Sequence, residues 1–289
     1  MTQPLRAIQQ IQLGTVTGTW GQARVTLRAL VEAGYQGIEL NGFMTRPTSP
    51  LVRLLTRAAG MPAGRGGRLD WHALIDEAGL AVVALHEDLG TIEREPDAVV
   101  ERAGRFRTDH VVVTGMYRFD YSDEAQVGGL AQRLNRAGAR LAEAGLRLLY
   151  HNHNAELVRL PGGHTAYDLL IEHTQPGVVD FEFDAYWPTA SGADAFALMR
   201  RLEERMVLLH LTDRGTRKRG PYLTPILKAD SVELGDGVMN LPVLLDQARA
   251  AGTRAVIVET HRNWIDGSPL ASAQRSAAYL THHFDQGGQ

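Results

Sequence analysis

The chain has 289 residues, enough for one large domain or two small ones, with 44 % hydrophobic and 22 % charged residues, an ordinary balance for a water-soluble globular protein. A formal net charge of -3, from 30 Lys and Arg against 33 Asp and Glu with no long basic block, speaks against non-specific nucleic-acid binding. There is no cysteine, so disulfides, thiolate ligands and thiol nucleophiles are excluded, and any metal must be held by oxygen and imidazole nitrogen. The first residues, MTQPLRAIQQIQLG, lack the apolar core of a signal peptide, and no apolar run reaches membrane-spanning length. A cytoplasmic enzyme is the default expectation.

Short β-rich apolar runs alternate with longer amphipathic segments, the pattern of βα units. In chain order, a strand is expected at Ile11–Val16, a helix over Gln22–Ala33 and a second strand at Gly37–Leu40. An irregular stretch, 41–68, follows, with a short helix near Leu51–Ala59. A helix at Leu69–Glu77 leads into strand three, Ala81–Leu85. A helix near Asp97–Arg107 precedes strand four, His110–Thr114. A long helix, Glu124–Ala144, precedes strand five, Leu146–Tyr150. Helix Thr165–Glu172, strand Val178–Phe183, helix Ala193–Glu204 and strand Val207–Leu211 continue the alternation. A polar loop, Thr212–Gly237, comes before helix Leu241–Ala251, strand Ala255–Val258 and helix Ser268–His282. The tail Asp285–Gln289 is expected to fray.

Four Ala-Gly-X tripeptides, at 33–35, 78–80, 144–146 and 251–253, repeat one device: a glycine in the left-handed cap conformation ends a helix just before a strand. Eight such units favour a single (β/α)₈ TIM barrel spanning 1–289. An open doubly wound sheet is the rival. Against it, neither GxGxxG nor GxxxxGK[ST] occurs.

In such a barrel the chemistry sits where strands run into βα loops. Those positions are unusually polar here. Glu39 and Asn41 follow strand two, and His86-Glu87-Asp88 follow strand three. His151-Asn152-His153 with Glu156 follow strand five, and Glu182-Phe183-Asp184 end strand six. His210 and Asp213 end strand seven, and Glu259-Thr260-His261 end strand eight. Carboxylates converging at one mouth repel each other unless protons or a cation neutralise them. An oxygen-and-imidazole set suits Mn²⁺, Mg²⁺, Co²⁺ or Zn²⁺.

Side-chain alternation puts Asp180, Glu182 and Asp184 on one face, with Asp184 at the tip, Glu182 one layer deeper and Asp180 too deep to be a ligand. Asp184, His210 and Glu259 are the firmest expected ligands. Geometry leaves the fourth open among His151, His153 and Glu156. Trp20, Tyr186 and Trp187 lie near the mouth, where such rings either stack on sugar faces or plug the barrel. The run Arg214, Arg217, Lys218, Arg219 reads as a solvated face or as a contact to an anionic substrate.

These motifs resemble the sugar phosphate isomerase/epimerase family of xylose isomerase-like TIM barrels, in the branch with a YHNHxxE fifth strand. The residues that carry the likeness are Tyr150-His151-Asn152-His153-Asn154-Ala155-Glu156, Glu182-Phe183-Asp184-Ala185-Tyr186-Trp187, Leu208-Leu209-His210-Leu211-Thr212-Asp213, Leu234-Gly235-Asp236-Gly237 and Ile257-Val258-Glu259. The resemblance implies one divalent metal, Mn²⁺ before the others, held by Glu156, Asp184, His210 and Glu259. It implies substrate contacts from Glu39 and His86, to which His151, Trp187 and His261 are added. Thr212 stands where the family has Lys, and His261 where many relatives have an acid.

The implied reaction is metal-assisted proton removal beside the carbonyl of a sugar, keto-sugar or keto-polyol, giving an enediolate and hence isomerisation or epimerisation. His153 is the expected base or acid, with Glu156 and Glu182 as rivals. Dehydration of a keto-polyol such as an inosose is the alternative. Less favoured are a phosphodiester-cleaving endonuclease and a non-catalytic sugar-binding barrel. The expected partner is a small sugar or polyol, not nucleic acid or membrane, and self-association into a homo-oligomer is compatible with the sequence.

Overall fold

The computed structural model describes residues 3–46, 68–217 and 220–286. Eight parallel strands close into a barrel: β1 (Leu5–Gln9), β2 (Gly37–Asn41), β3 (Ala81–His86), β4 (His110–Thr114), β5 (Arg147–His151), β6 (Val179–Asp184), β7 (Met206–Leu211) and β10 (Ala255–Val258). Each strand pairs with its neighbours in sequence, and β1 closes the ring on β10 with Leu5 opposite Ala255 and Ile8 opposite Val258. The (β/α)₈ expectation therefore holds.

The outer layer is built from α1 (Trp20–Glu32), α3 (Trp71–Ala78), α5 (Pro96–Arg105), α6 (Glu124–Ala142), α7 (Ala166–His173), α9 (Ala195–Leu202), α10 (Leu241–Ala250) and α11 (Pro269–Gln286). Three further short helices, α2 (Gly42–Thr45), α4 (Leu89–Arg94) and α8 (Tyr186–Ala190), sit in the βα loops at the mouth. Most caps are written in the sequence. Thr19, Asp70, Asp88, Asp123, Thr165 and Asp194 each accept a backbone N–H in the first turn that follows. The repeated Ala-Gly-X device also holds: Gly34, Gly79, Gly145 and Gly252 all have φ between 73° and 102°.

Two apolar layers result. Ile38, Leu40, Val111, Leu148, Phe181, Leu209 and Val258 face the helices, together with Leu27, Trp71, Leu134 and Leu245. Inside the barrel, Ala7, Ala84, Val112, Leu149, Leu208 and Ile257 form a smaller plug. This plug closes the barrel below the polar mouth, so the ionisable groups rest on a dry floor.

Four expectations need correction. Strand one is Leu5–Gln9, not Ile11–Val16; residues Gln10–Leu13 form a 3₁₀ turn. The alternation of Ile11 and Leu13 with Gln10 and Gln12 mimics a strand, yet both glutamines are fully buried. Their side-chain carbonyls accept the backbone N–H groups of Asn41 and Thr260, which ties the rim of β1 to its two neighbours. Second, the polar loop after β7 holds a two-stranded antiparallel sheet, β8 (Asp213–Gly215) with β9 (Asp230–Val232). Asp213 organises it by accepting the N–H groups of Gly235, Gly237 and Met239. Third, the last helix continues to Gln286, past the point expected to fray. Fourth, α4 and α8 occupy segments between expected elements, where no helix is expected. The helix expected near Leu51–Ala59 lies outside the described residues, as do Lys218 and Arg219. No helix among the described residues is long and apolar enough to cross a membrane.

Candidate metal centre

The strand ends deliver seven of the expected residues to one point. Glu39 comes from β2, His86 from the last position of β3, His151 from the last of β5, Glu182 and Asp184 from β6, and His210 from β7. Glu259 follows β10 directly. Register explains the convergence. Glu182 is paired with His151 on one side, and Asp184 with His210 on the other, so their side chains enter the barrel at adjacent levels.

Two overlapping groups result. At the mouth, one donor atom each from Asp184, His210 and Glu259 lie within 4.8 Å of one another. Beneath them, His86, His151, Glu182 and His210 do the same. His210 belongs to both. Its Nδ1 lies 3.0 Å from Glu259 Oε2, while its Nε2 lies 2.6 Å from Glu39 Oε2 and 3.0 Å from Glu182 Oε1. Both ring nitrogens of His210 thus face carboxylates, Nε2 those of Glu39 and Glu182 and Nδ1 that of Glu259 at the mouth.

Glu182 is the hub of the lower group. His151 Nδ1 is 2.7 Å from its Oε1, and His86 Nε2 is 3.2 Å from the same atom and 3.0 Å from Glu39 Oε1. With Nδ1 committed to Glu182, His151 turns Nε2 towards Asp184 Oδ2, 3.9 Å away. Gln9 donates to Glu39 at 2.7 Å and accepts from Asn41 at 2.7 Å, which fixes the Glu39 carboxylate from the far side.

The protonation pattern follows from burial and charge together. Burial disfavours a charged His86, but Glu39 and Glu182 outweigh it and push its pKa up to about 10. His210 is raised well above the ordinary imidazole range against the same burial penalty, through Glu182 and Glu39. Glu182 is held well below the usual carboxylate range, against its burial, by His210 and His86. Asp184 behaves oppositely: burial raises it despite His151 and His210. Glu259 is lowered well below its usual value, against burial, by His261 and His210.

The donor set fits a divalent cation. Asp184 and Glu259 bring two carboxylates to one buried point, and burial raises Asp184 in spite of the imidazoles around it. Glu182 Oε2 is buried without a hydrogen-bond partner. Oxygen and imidazole donors in this ratio match Mn²⁺, Zn²⁺ or Co²⁺ better than Ca²⁺.

The remaining expected residues form an arc above the centre. His153 lies 5.0 Å from His151 between ring centroids and 5.4 Å from Trp187, and Trp187 lies 5.5 Å from His261. His261 Nδ1 returns to Glu259 Oε1 at 3.4 Å. Burial first, then His151, lowers the His153 pKa to about 3. Trp20 stands apart, 40 % exposed at the start of α1. Asp180, judged too deep, is tied to Arg147 at 2.5 Å and faces Arg205 at 3.5 Å.

Glu156 does not join either group. It is fully buried, with Oε1 accepting from the Tyr150 hydroxyl at 2.7 Å and Oε2 from the His153 backbone N–H at 3.0 Å. Residues the sequence reading passed over are Gln9, Tyr121 and Asn152 in its structural role. Asn152 clamps the tip of β6, donating to the Asp184 carbonyl at 3.1 Å and accepting the Asp184 N–H at 3.0 Å. Its opposed parity within the YHNH run was the available signal.

The model of the xylose isomerase-like TIM barrel family matches residues 27–283. The chain belongs to this family. Among curated members it is similar to the inosose dehydratase of Clostridium perfringens (strain 13), 27 % identical over 161 residues, covering 52 % of each chain. It is also similar to the inosose dehydratase of Lactiplantibacillus plantarum, 23 % identical over 283 residues, covering 89 % of this chain and 87 % of the relative. The chain thus spans about half the length of the Clostridium relative in the matched region. Among solved structures, a sugar phosphate isomerase/epimerase from Parabacteroides distasonis superposes with a TM-score of 0.75 at 22 % identity, covering 97 % of this chain and 94 % of the other. The IOLI protein with a bound zinc atom superposes with a TM-score of 0.65 at 12 % identity, covering 98 % of both chains. At these identities the two structures speak for the fold.

Proposed function

We propose that this xylose isomerase-like barrel is a divalent-metal-dependent enzyme that removes the proton beside a carbonyl of a sugar, keto-sugar or keto-polyol and returns it as an isomerase or epimerase. The observation that carries this reading is the convergence of Asp184, His210 and Glu259 within 4.8 Å at a strand-end mouth. His151 Nε2, aimed towards Asp184 and held from behind by Glu182, is the best-placed fourth ligand. A ligand imidazole whose other nitrogen is fixed by a carboxylate is the usual arrangement around protein-bound metals. This assigns Glu156 a different role. Asp184, His210, Glu259 and His151 would hold the ion, which would supply Lewis-acid stabilisation of negative charge on substrate oxygens.

The chain's own groups divide the rest. His153 stands at the mouth beside His151 and Trp187, where its imidazole can take the proton, although its burial lowers its basicity. Protonated His86, and His261 raised against its burial by Glu259, can donate to oxygens developing negative charge. Glu182 is enclosed by three imidazoles and acts by orienting them rather than by reaching substrate. Trp187, between the His153 and His261 rings, offers an apolar face for the carbon side of a sugar ring.

A second reading, dehydration of a keto-polyol, is favoured by the inosose dehydratase relatives. It shares the first step and differs in the fate of a hydroxyl one carbon further on. Both readings can be tested by incubating the Mn²⁺-loaded protein with an inosose or a ketohexose in heavy water. Deuterium gained at the carbon beside the carbonyl, without mass loss, supports epimerisation or isomerisation, whereas loss of water supports dehydration. Absence of both, with tight metal binding, refutes proton-transfer chemistry on these substrates. Asp184→Ala and His210→Ala should each bring bound metal from about one ion per chain to near zero while the barrel stays folded.

A further inference from the structure

The reaction assigned above does not explain Glu156, Tyr150, Tyr121 or Gly115, yet these four form one buried assembly behind β5. Tyr150 and Asn152 point away from the barrel axis, while His151 and His153 point into the mouth. Behind the strand, the Tyr121 hydroxyl accepts the Met116 N–H at 2.8 Å and contacts the Tyr150 hydroxyl at 3.0 Å. Tyr150 donates to Glu156 Oε1, and Glu156 Oε2 accepts the N–H of His153. The chain therefore leaves β5 after His151, passes His153, and is pulled back by Glu156 onto Tyr150. Tyr150 and Glu156 are fully buried. Gly115, at the tip of β4, makes room for the assembly: a Cβ there would lie 2.7 Å from Glu156 Oε1 and 3.2 Å from the Tyr121 hydroxyl.

We infer that Glu156 and Tyr150 are positioning residues, forming a clamp that sets the place of the His153 imidazole, and that Gly115 is required for the clamp to close. This rests on the reading of His153 as the proton acceptor. It accounts for the YHNHxxE spacing: Tyr and Glu six residues apart are the two jaws, and the second His is the backbone they grip. Because the clamp uses Glu156 only as an acceptor for two donors, glutamine can replace most of it. Its oxygen keeps the His153 N–H, and its amide donates to Tyr150, whose hydroxyl then turns towards Tyr121.

The test compares Glu156→Gln, Glu156→Ala and Gly115→Ala in the full chain loaded with Mn²⁺, using deuterium exchange into an inosose, bound Mn²⁺ and the ¹⁵N resonances of the His153 ring. Misplacing a reacting group by about 1 Å costs on the order of 100-fold. Glu156→Ala should therefore lose about 100-fold in kcat and Glu156→Gln less than about tenfold. Gly115→Ala should resemble Glu156→Ala although every ionisable group is intact. All three should keep about one Mn²⁺ per chain. If Glu156→Gln loses Mn²⁺ as Asp184→Ala does, Glu156 is a ligand and the inference is overturned. If wild-type protein exchanges no deuterium, the reaction reading fails, and the His153 ring decides the clamp alone. Shifted resonances in folded Glu156→Ala uphold it and unchanged resonances overturn it; Gly115→Ala, whose Cβ would itself lie 3.6 Å from His153 Nδ1, is read by turnover and bound Mn²⁺ alone.

Discussion

Replacing Glu182 by glutamine should weaken metal binding by about 30-fold without touching a ligand. In the wild type one oxygen, Glu182 Oε1, holds His151 at 2.7 Å, His210 at 3.0 Å and His86 at 3.2 Å. Charge-assisted hydrogen bonds are about twice as strong as neutral ones, so neutralising the acceptor removes roughly 1 kcal/mol from each bond to an imidazole proposed as ligand. Two such bonds, to His151 and His210, sum to roughly 2 kcal/mol, or about 30-fold in Kd. The new amide also places two donors where Glu182 Oε2 has no hydrogen-bond partner, which costs stability rather than metal affinity. Competition titration of Mn²⁺ and of Zn²⁺ against a chelator reads the Kd, and far-UV circular dichroism checks the fold. A folded Glu182→Gln protein with Kd within twofold of wild type would refute the claim that Glu182 orients the ligand imidazoles. Wild-type binding with turnover abolished would move Glu182 into proton transfer instead.

Two predictions concern the scaffold. His110, at the start of β4 and far from the mouth, is buried; burial chiefly lowers its pKa, with Asp109 opposing and Arg254 and Arg147 assisting. A histidine with a depressed folded pKa binds its proton more readily when unfolded, so its contribution is intact above the unfolded value of 6.5 and is lost as pH falls below it. Going from about pH 7.5 to about pH 5.5, His110→Asn should therefore gain melting temperature relative to wild type, the opposing contributions of the raised His86 and His210 being common to both proteins; a constant difference between the two proteins would contradict the assignment. Gly138→Ala should destabilise the fold by roughly 1–3 kcal/mol, read as a lower urea midpoint, because α6 packs its glycine against backbone. A Cβ there would lie 2.5 Å from the Val178 carbonyl oxygen. An unshifted midpoint would mean that α6 does not lie so close.

Much of this was readable from residue patterns because the barrel repeats one unit. Strands His110–Thr114 and Ala255–Val258 have the bounds expected of them, since each is a short β-branched run enclosed by turn signals. The first strand was misplaced because polarity misled: Gln9, Gln10 and Gln12 look like surface residues but spend their amides on rim backbone and on Glu39. The small helix α8 is a five-residue turn too short to show a helical period, and the β8–β9 pair lies in polar sequence; Asp184 and Asp213 supply acceptors that order them.

At the site, strand parity puts Asp184, His210 and Glu259 at one level, and a donor atom of each lies within 4.8 Å of the others because tips of parallel strands meet there. It could not locate Glu156. That residue lies beyond the strand, where direction depends on a single turn, and the turn carries it behind β5 instead of over the mouth. The same parity separated His151 from Asn152 but could not tell that Glu182 would claim His151 Nδ1 and thereby aim Nε2 at Asp184.

The most direct test of the central claim is anomalous diffraction from crystals loaded with Mn²⁺. The account predicts one strong peak at the barrel mouth, bounded by Asp184, His210 Nδ1, Glu259 and His151 Nε2, with the Glu156 carboxylate still on Tyr150. A peak ligated by Glu156, or one centred in the deeper group around Glu39, His86 and Glu182, would contradict it.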